Sequence, residues 1–182
     1  MIFVDTETTD YRPGQIAQLA YILADGDTVT GAGNYYFAVE YMSPGAEEVH
    51  GLSEELLWRL SDGRTFAEQV DFFRGHFEGR MLVAHNAQFD LSFLDAEFSR
   101  CGLKFRPKGV FCTMLSSTSI CGIPGPRGYK WPRLDEAVQC LDIPTEEVSA
   151  FTETLFGGSR SGFHDARFDA AAVYLIYRRL MG

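Results

Sequence analysis

Long apolar runs are missing from this 182-residue chain. Every hydrophobic stretch breaks at a charge well short of the roughly 18 residues that a membrane span needs. The N-terminus also lacks the basic start and apolar core of a secretory signal. These absences leave no role for a membrane and point to the cytoplasm. Cysteine is sparse: Cys101, Cys112, Cys121 and Cys140 show no Cys-x-x-Cys spacing and no histidine at metal-finger distances, so they read as four buried free thiols rather than a zinc site. Positive charge is in deficit, with 16 Lys and Arg against 25 Asp and Glu and a net charge of −9. That balance argues against extended, non-specific binding along a duplex. No repeat or low-complexity tract interrupts the chain.

Apolar residues, by contrast, are spread along the whole length: they make up 46% of the chain and include 15 Phe. One domain over 1–182 is expected, long enough for a real core. Residues 2–5 read as a buried strand, and 15–26 and 34–41 as two more joined by a Gly/Asp turn, together an antiparallel meander. Ser43-Pro44-Gly45 reads as a break, and Ser53 as the cap of a helix over 53–60. Phe66, Val70, Phe73 and Phe77 form the stripe of an amphipathic helix closed by Gly79. Gln69–Phe73 faintly resembles a sliding-clamp-binding pentapeptide, but Val70 and Phe73 belong to that stripe and are claimed by the core.

A continuous apolar strand follows at 81–84, then a helix from Ala87 to Arg100. Residues 104–114 can hold a strand, and 121–133 read as an exposed Pro/Gly-rich loop whose Arg127, Lys130 and Arg133 either steer a nucleic acid strand or are simply solvated. Helices are expected over 134–143, 145–156 and 165–181, with a turn at 157–162. The sum is an α/β sandwich with a mixed sheet.

Chemistry concentrates in three acidic centres. In an extended strand, residues two apart share a face, so Asp5 and Glu7 project together from the end of the first strand. Like charges that close raise each other's pKa unless a cation lies between them; a solvated strand end is the alternative. Asp90 falls in the first turn of the helix that follows His85-Asn86, where Asn86 suits a cap and Asp90 suits the helix dipole. Near the C-terminus, His164 and Asp169 would lie about 140° apart if both were helical. Asp165 as a cap leaves His164 outside the helix, free to face Asp169; a satisfied surface histidine is the plainer reading.

The order DTETT (5–9), HNAQFD (85–90) and H-x-x-x-x-D (164–169), together with VHGLS (49–53), resembles the DEDDh (DnaQ-like) 3′→5′ exonucleases, and most closely the epsilon-type proofreading subunits of bacterial DNA polymerase III. The sister group with tyrosine would place Tyr at 165, where this chain has Asp, so the histidine branch is implied. The resemblance implies a ribonuclease H-like fold, with a central mixed sheet flanked by helices. It further implies Asp5, Glu7, Asp90 and Asp169 as ligands of two Mg²⁺ or Mn²⁺ ions, and His164 as general base. Thr6, Thr8, His50, Asn86 and Phe89 are expected to touch the terminal nucleotide. Two divalent cations would bring the charge of −9 to about −5, leaving room for a short single-stranded end.

The substrate implied is a single-stranded DNA 3′ end. The alternatives are RNA trimming of the RNase T or oligoribonuclease kind, and a non-catalytic module that recruits a polymerase. A DNA polymerase is the expected protein partner. The chain stops at Gly182, directly after its last helical pattern, which suits a stand-alone nuclease or one excised from a longer protein. Gln18 stands where epsilon-like sequences often have an acid, Asp10 where they usually have Gly, and Cys112-Thr113 where they often have Asp-Thr. None of these is an expected ligand, so they bear on substrate preference and loop shape.

Overall fold

A computed structural model describes residues 1–158 and 162–182; the turn expected over 157–162 therefore lies partly outside the described residues. Five strands form one sheet in the order β3-β2-β1-β4-β5: β1 (Ile2–Thr8), β2 (Ile16–Asp25), β3 (Thr28–Tyr36), β4 (Met81–Ala84) and β5 (Gly109–Cys112). The first three make the expected antiparallel meander, while β4 pairs parallel to β1, and β5 parallel to β4. The sheet is therefore mixed, as the sequence pattern predicts.

Period-two alternation on β1 sorts its side chains between two cores. Ile2 and Val4 pack with Phe66, Phe73, Phe77, Phe93 and Phe98, delivered by a 3₁₀ turn (Ala67–Gln69), α3 (Val70–Phe77) and α4 (Ala87–Arg100). Phe3 packs on the other face with Val138, Val148, Phe168, Ala172 and Ile176, delivered by α6 (Leu134–Cys140), α7 (Thr145–Phe156) and α8 (Ala166–Met181). Each fully buried Phe contributes about 1.5–3 kcal/mol relative to exposure. Val70 and Phe73 lie inside this core, as the stripe requires.

Parallel pairing of β1 with β4 covers only Ile2 and Phe3, so β1 runs on past the end of β4. The start of α4 fills the space beyond that end, and β1 breaks register with β2 between Glu7 and Thr8. A bulge of this kind bends a strand and re-aims its side chains.

Several elements differ from the expectation. The third strand runs over 28–36 instead of 34–41. Its Gly31 and Gly33 hide it from a hydrophobic pattern, yet Gly33 faces Tyr21, where a Cβ would stand 2.8 Å from the rings of Tyr21 and Tyr35. The stacked tyrosines thus require the glycine. Ser43-Pro44 starts α1 (Pro44–His50) rather than ending order, because proline at the first helical position loses no hydrogen bond and Ser43 accepts one from Ala46 N. A further helix, α5 (Thr113–Cys121), has no amphipathic stripe to announce it. Beyond it, the expected loop contains a small ribbon, β6 (Pro124–Gly125) with β7 (Gly128–Tyr129). The remaining helix, α2 (Glu54–Ser61), is capped by Ser53 as expected.

The reading of four buried free thiols is corrected as well. Cys121 and Cys140 form a disulfide between the ends of α5 and α6, leaving Cys101 and Cys112 free and only partly buried. Their separation of 19 residues carries no local signal; only the docking of two helices brings them together.

Candidate active site

Odd positions of β1 continue from Phe3 to Asp5 and Glu7 on the side of α8, whose first turn carries Asp169. The carboxylates of Asp5, Glu7 and Asp169 each offer an oxygen within 4.8 Å of the others. Even positions continue to Thr6 on the side of α4, and there Thr6 Oγ1 donates to Asp90 Oδ1 at 2.9 Å. Asp90 thus sits behind the strand end, 2% exposed, close enough to raise the pKa of Asp5, Glu7 and Asp169.

No cation among the described residues neutralises this group. Burial, and then the charges of Asp169, Asp90, Glu7 and Asp165, hold the Asp5 carboxyl well above its ordinary range. Burial followed by Glu7 does the same for Asp169, against the opposing hydrogen bond from His164 N at 3.1 Å. Burial, Asp165 and Asp90 push Glu7 up to about 7; burial pushes Asp90 to about 7 despite the Thr6 hydroxyl. Asp169 Oδ1 is buried and has no hydrogen-bond partner among the described residues. An orphaned carboxylate oxygen beside two further carboxylates is the environment a hard divalent cation fits, since such ions take oxygen ligands.

His164 lies outside α8, exposed, in a left-handed conformation with φ 70°. Asp165 caps the helix by accepting from Arg167 N. With Asp169, His164 lines a cavity of about 340 Å³ whose other walls are Arg133, Leu134, Asp135 and Phe163. A second cavity, about 580 Å³, opens on the other side of Glu7 and gathers Thr6, Thr8, His50 and Phe89. His50 Nδ1 accepts from Leu52 N at 3.0 Å, so the proton sits on Nε2, which donates to Thr8 O at 3.2 Å. Burial lowers the His50 pKa and keeps the ring neutral.

Asn86 lines neither cavity, although its carbonyl accepts from Phe89 N at 2.8 Å. It holds the first position before α4 at φ 62°, but its side chain makes no capping bond, contrary to the expectation of a cap. The hydroxyls of Thr6 and Thr8 are already committed, to Asp90 and to Asp10 O.

Sequence reasoning noted Gln18 only as a departure from a pattern. In the fold it is 2% exposed beneath the start of α8. Its amide nitrogen lies within 3.2 Å of Asp165 Oδ1 and 2.8 Å of Asn34 Oδ1, and its oxygen accepts from Ala166 N. The signal available was a lone polar residue in the apolar run 16–24, all of which is buried. The Pro/Gly-rich loop differs too: Lys130 is bound by Glu136, and Arg133 by Asp135 and Glu136, so two of its three cations are already paired.

Known proteins resemble this chain in sequence and in fold. Residues 2–147 match the family model RNase_T, described as Exonuclease. The chain is 32% identical over 138 residues to DNA polymerase III subunit epsilon of Escherichia coli, covering 69% of this chain and 55% of that protein. The subunit epsilon of Salmonella typhimurium is 30% identical over 193 residues, covering all of this chain and 71% of its own. Among solved structures, Exonuclease I in its apo form superposes with a TM-score of 0.73 at 16% identity, over 98% of this chain and 41% of that one. E. coli Exonuclease I in complex with a 5cy-dT13 oligonucleotide gives 0.71 at 18%, over 96% and 39%. The mixed five-stranded sheet flanked by helices is the ribonuclease H-like fold. With the match running from β1 into α7, this chain belongs to the RNase_T exonuclease family, in which epsilon subunits of DNA polymerase III are its relatives.

Proposed function

We propose that the chain is a metal-dependent 3′→5′ exonuclease that removes nucleotides from single-stranded DNA ends. The observation that carries this reading is the meeting of half-buried Asp5 with buried Glu7 and Asp169, one Asp169 oxygen having no partner among the described residues. In this reading Asp5, Glu7, Asp90 and Asp169 hold two Mg²⁺ or Mn²⁺ ions. When bound, such a pair supplies an activated water and stabilises charge on the attacking and leaving oxygens.

The remaining work falls to this chain's own side chains. His164 sits beside Asp169 with its ring free of hydrogen bonds among the described residues, and it accepts the proton of the attacking water on a ring nitrogen. Its positive φ supports the role, because strained backbone persists where surrounding structure over-determines it. Asp169 fixes the loop by accepting from His164 N, and Gln18 steadies the helix start beneath. The terminal nucleotide occupies the cavity beside Glu7, where Phe89 offers a stacking face and His50 holds the Thr8 carbonyl. A cavity of about 580 Å³ falls in the range of small-molecule sites. That these relatives are subunits of DNA polymerase III supports a DNA polymerase as the partner.

The test is degradation of matched 5′-labelled DNA and RNA oligomers with Mg²⁺, Mn²⁺ or EDTA. Stepwise shortening from the 3′ end with either metal and none in EDTA is expected, faster on DNA. Intact oligomers under every condition would refute the reading and leave a non-catalytic recruitment module; faster loss of RNA would move the substrate to the RNase T kind.

A further inference from the structure

We infer that the β6-β7 ribbon and the residues that leave it form a stacking platform for the single strand that leads into the acidic site; this rests on the exonuclease reading above. Tyr129 is 62% exposed and Trp131 65% exposed. They are two residues apart where the chain leaves β7, the spacing at which strand residues share a face, and Lys130 between them reaches Glu136 at 2.6 Å. A pair of large aromatic rings held in water is costly for a fold that has a core to offer them.

The ribbon holds them out because it is pinned on several sides. The disulfide ties its root at Cys121 to the end of α6 at Cys140. Lys130 N donates to Ile123 O at 2.9 Å and extends the pairing past β7. His85, directly after β4, reaches Pro132 O through Nε2 at 2.9 Å, and its Nδ1 is 3.0 Å from Thr113 Oγ1. Such a surface is organised before anything binds, which removes most of the ordering cost of association.

Position and charge name the occupant. Pro132 is buried, and the next residues, Arg133, Leu134 and Asp135, wall the cavity that holds His164 and Asp169. The aromatic pair is therefore followed directly in the chain, through Pro132, by the segment that walls the candidate active site. Pairing of Lys130 and Arg133 with acids removes their charges from the face, and Arg127, exposed at the ribbon's turn, makes no ion pair among the described residues. One free cation beside two exposed rings suits a flexible strand whose bases stack and whose phosphates need a single contact; a duplex would hide its base faces. This reading also resolves how a chain of charge −9 grips a polyanion: stacking supplies what charge does not.

Fluorescence anisotropy of a labelled twelve-residue oligothymidylate in EDTA tests the platform without any reaction. Tyr129→Ala/Trp131→Ala is expected to weaken binding about tenfold for each base that loses its stacking partner, and Trp131→Phe to restore most of Trp131's share. In Mg²⁺, the variant's KM relative to wild type should grow with oligomer length between two and twelve nucleotides. Equal affinity of wild type and double variant would overturn the inference. So would a wild-type dimer in sedimentation that the double variant dissolves, because a second copy would then cover the face. If wild type shortens no oligomer with either metal while the affinity loss persists, the exonuclease reading fails and the platform stands.

Discussion

Asp5, Glu7, Asp90 and Asp169 crowd the end of β1 with no cation among the described residues, and burial heads the causes that raise all four. On the turn into α6, Asp135 and Glu136 stand near water, and hydrogen bonds from Arg133 and Lys130 lead the effects that hold both below the ordinary carboxylate range. The residue types are the same. The second group is satisfied by its own chain and stabilises a local turn; the first is left wanting positive charge, with Glu7 lining one cavity and Asp169 another. Unsatisfied buried acids are costly, so a fold that keeps them is built for something it does not itself contain.

Removing a carboxylate from the first group is the largest way to break the contrast. Asp5→Asn is expected to drop nuclease activity to background and weaken Mn²⁺ binding in calorimetry, yet to raise the melting temperature of the metal-free protein at pH 7. In a chain of this size each kcal/mol of relieved repulsion is worth about 2–4 °C. Lowered stability in EDTA would show that the acids are not repelling one another.

His164→Ala comes next. A positioned histidine base contributes about 10² to 10⁴ in rate, so kcat on an end-labelled oligomer should fall by that much while Mn²⁺ affinity holds. Loss of metal binding as well would make the histidine a structural part of the cluster.

Titration sharpens the same comparison. Glu7 and Asp90, near 7 in the fold, sit near 4 when unfolded. The native state then binds more protons than the unfolded one between about pH 4 and 7, and stability declines as pH rises through that window. Metal reverses the cost only where the acids are ionised. The melting-temperature gain from Mg²⁺ should therefore increase from pH 5 to pH 8. His50 and His85, whose pKa values burial lowers, titrate in both samples and cancel in this difference. A gain independent of pH would contradict the raised values.

Gln18→Ala removes the amide beneath α8 and leaves Asp165 and Ala166 N short of a partner; about 1–3 kcal/mol of stability should go, read by urea unfolding. The smallest effect belongs to the satisfied group: Lys130→Ala should melt almost like wild type, since ion pairs that water still reaches are worth little.

Much of this site was legible beforehand because its parts are local. Period two on β1 puts Asp5 beside Glu7, and a capping Asp165 releases His164; neither needs distant information. The buried polar network on Gln18, the Cys121–Cys140 bond and the paired Lys130 were not legible. Each joins residues whose neighbours in sequence say nothing of their neighbours in space. The strand at 28–36 was missed for a related reason: its glycines make sense only opposite Tyr21.

Alternation and helical stripes, being properties of short segments, were enough to determine a mixed α/β fold and the residue types offered at each strand end and helix start. Whether Asp5, Glu7 and Asp169 meet at one place, and whether Cys121 reaches Cys140, was decided only when the sheet stacked its helices. Burial, and with it the strength of every charge, is a property of the assembled chain.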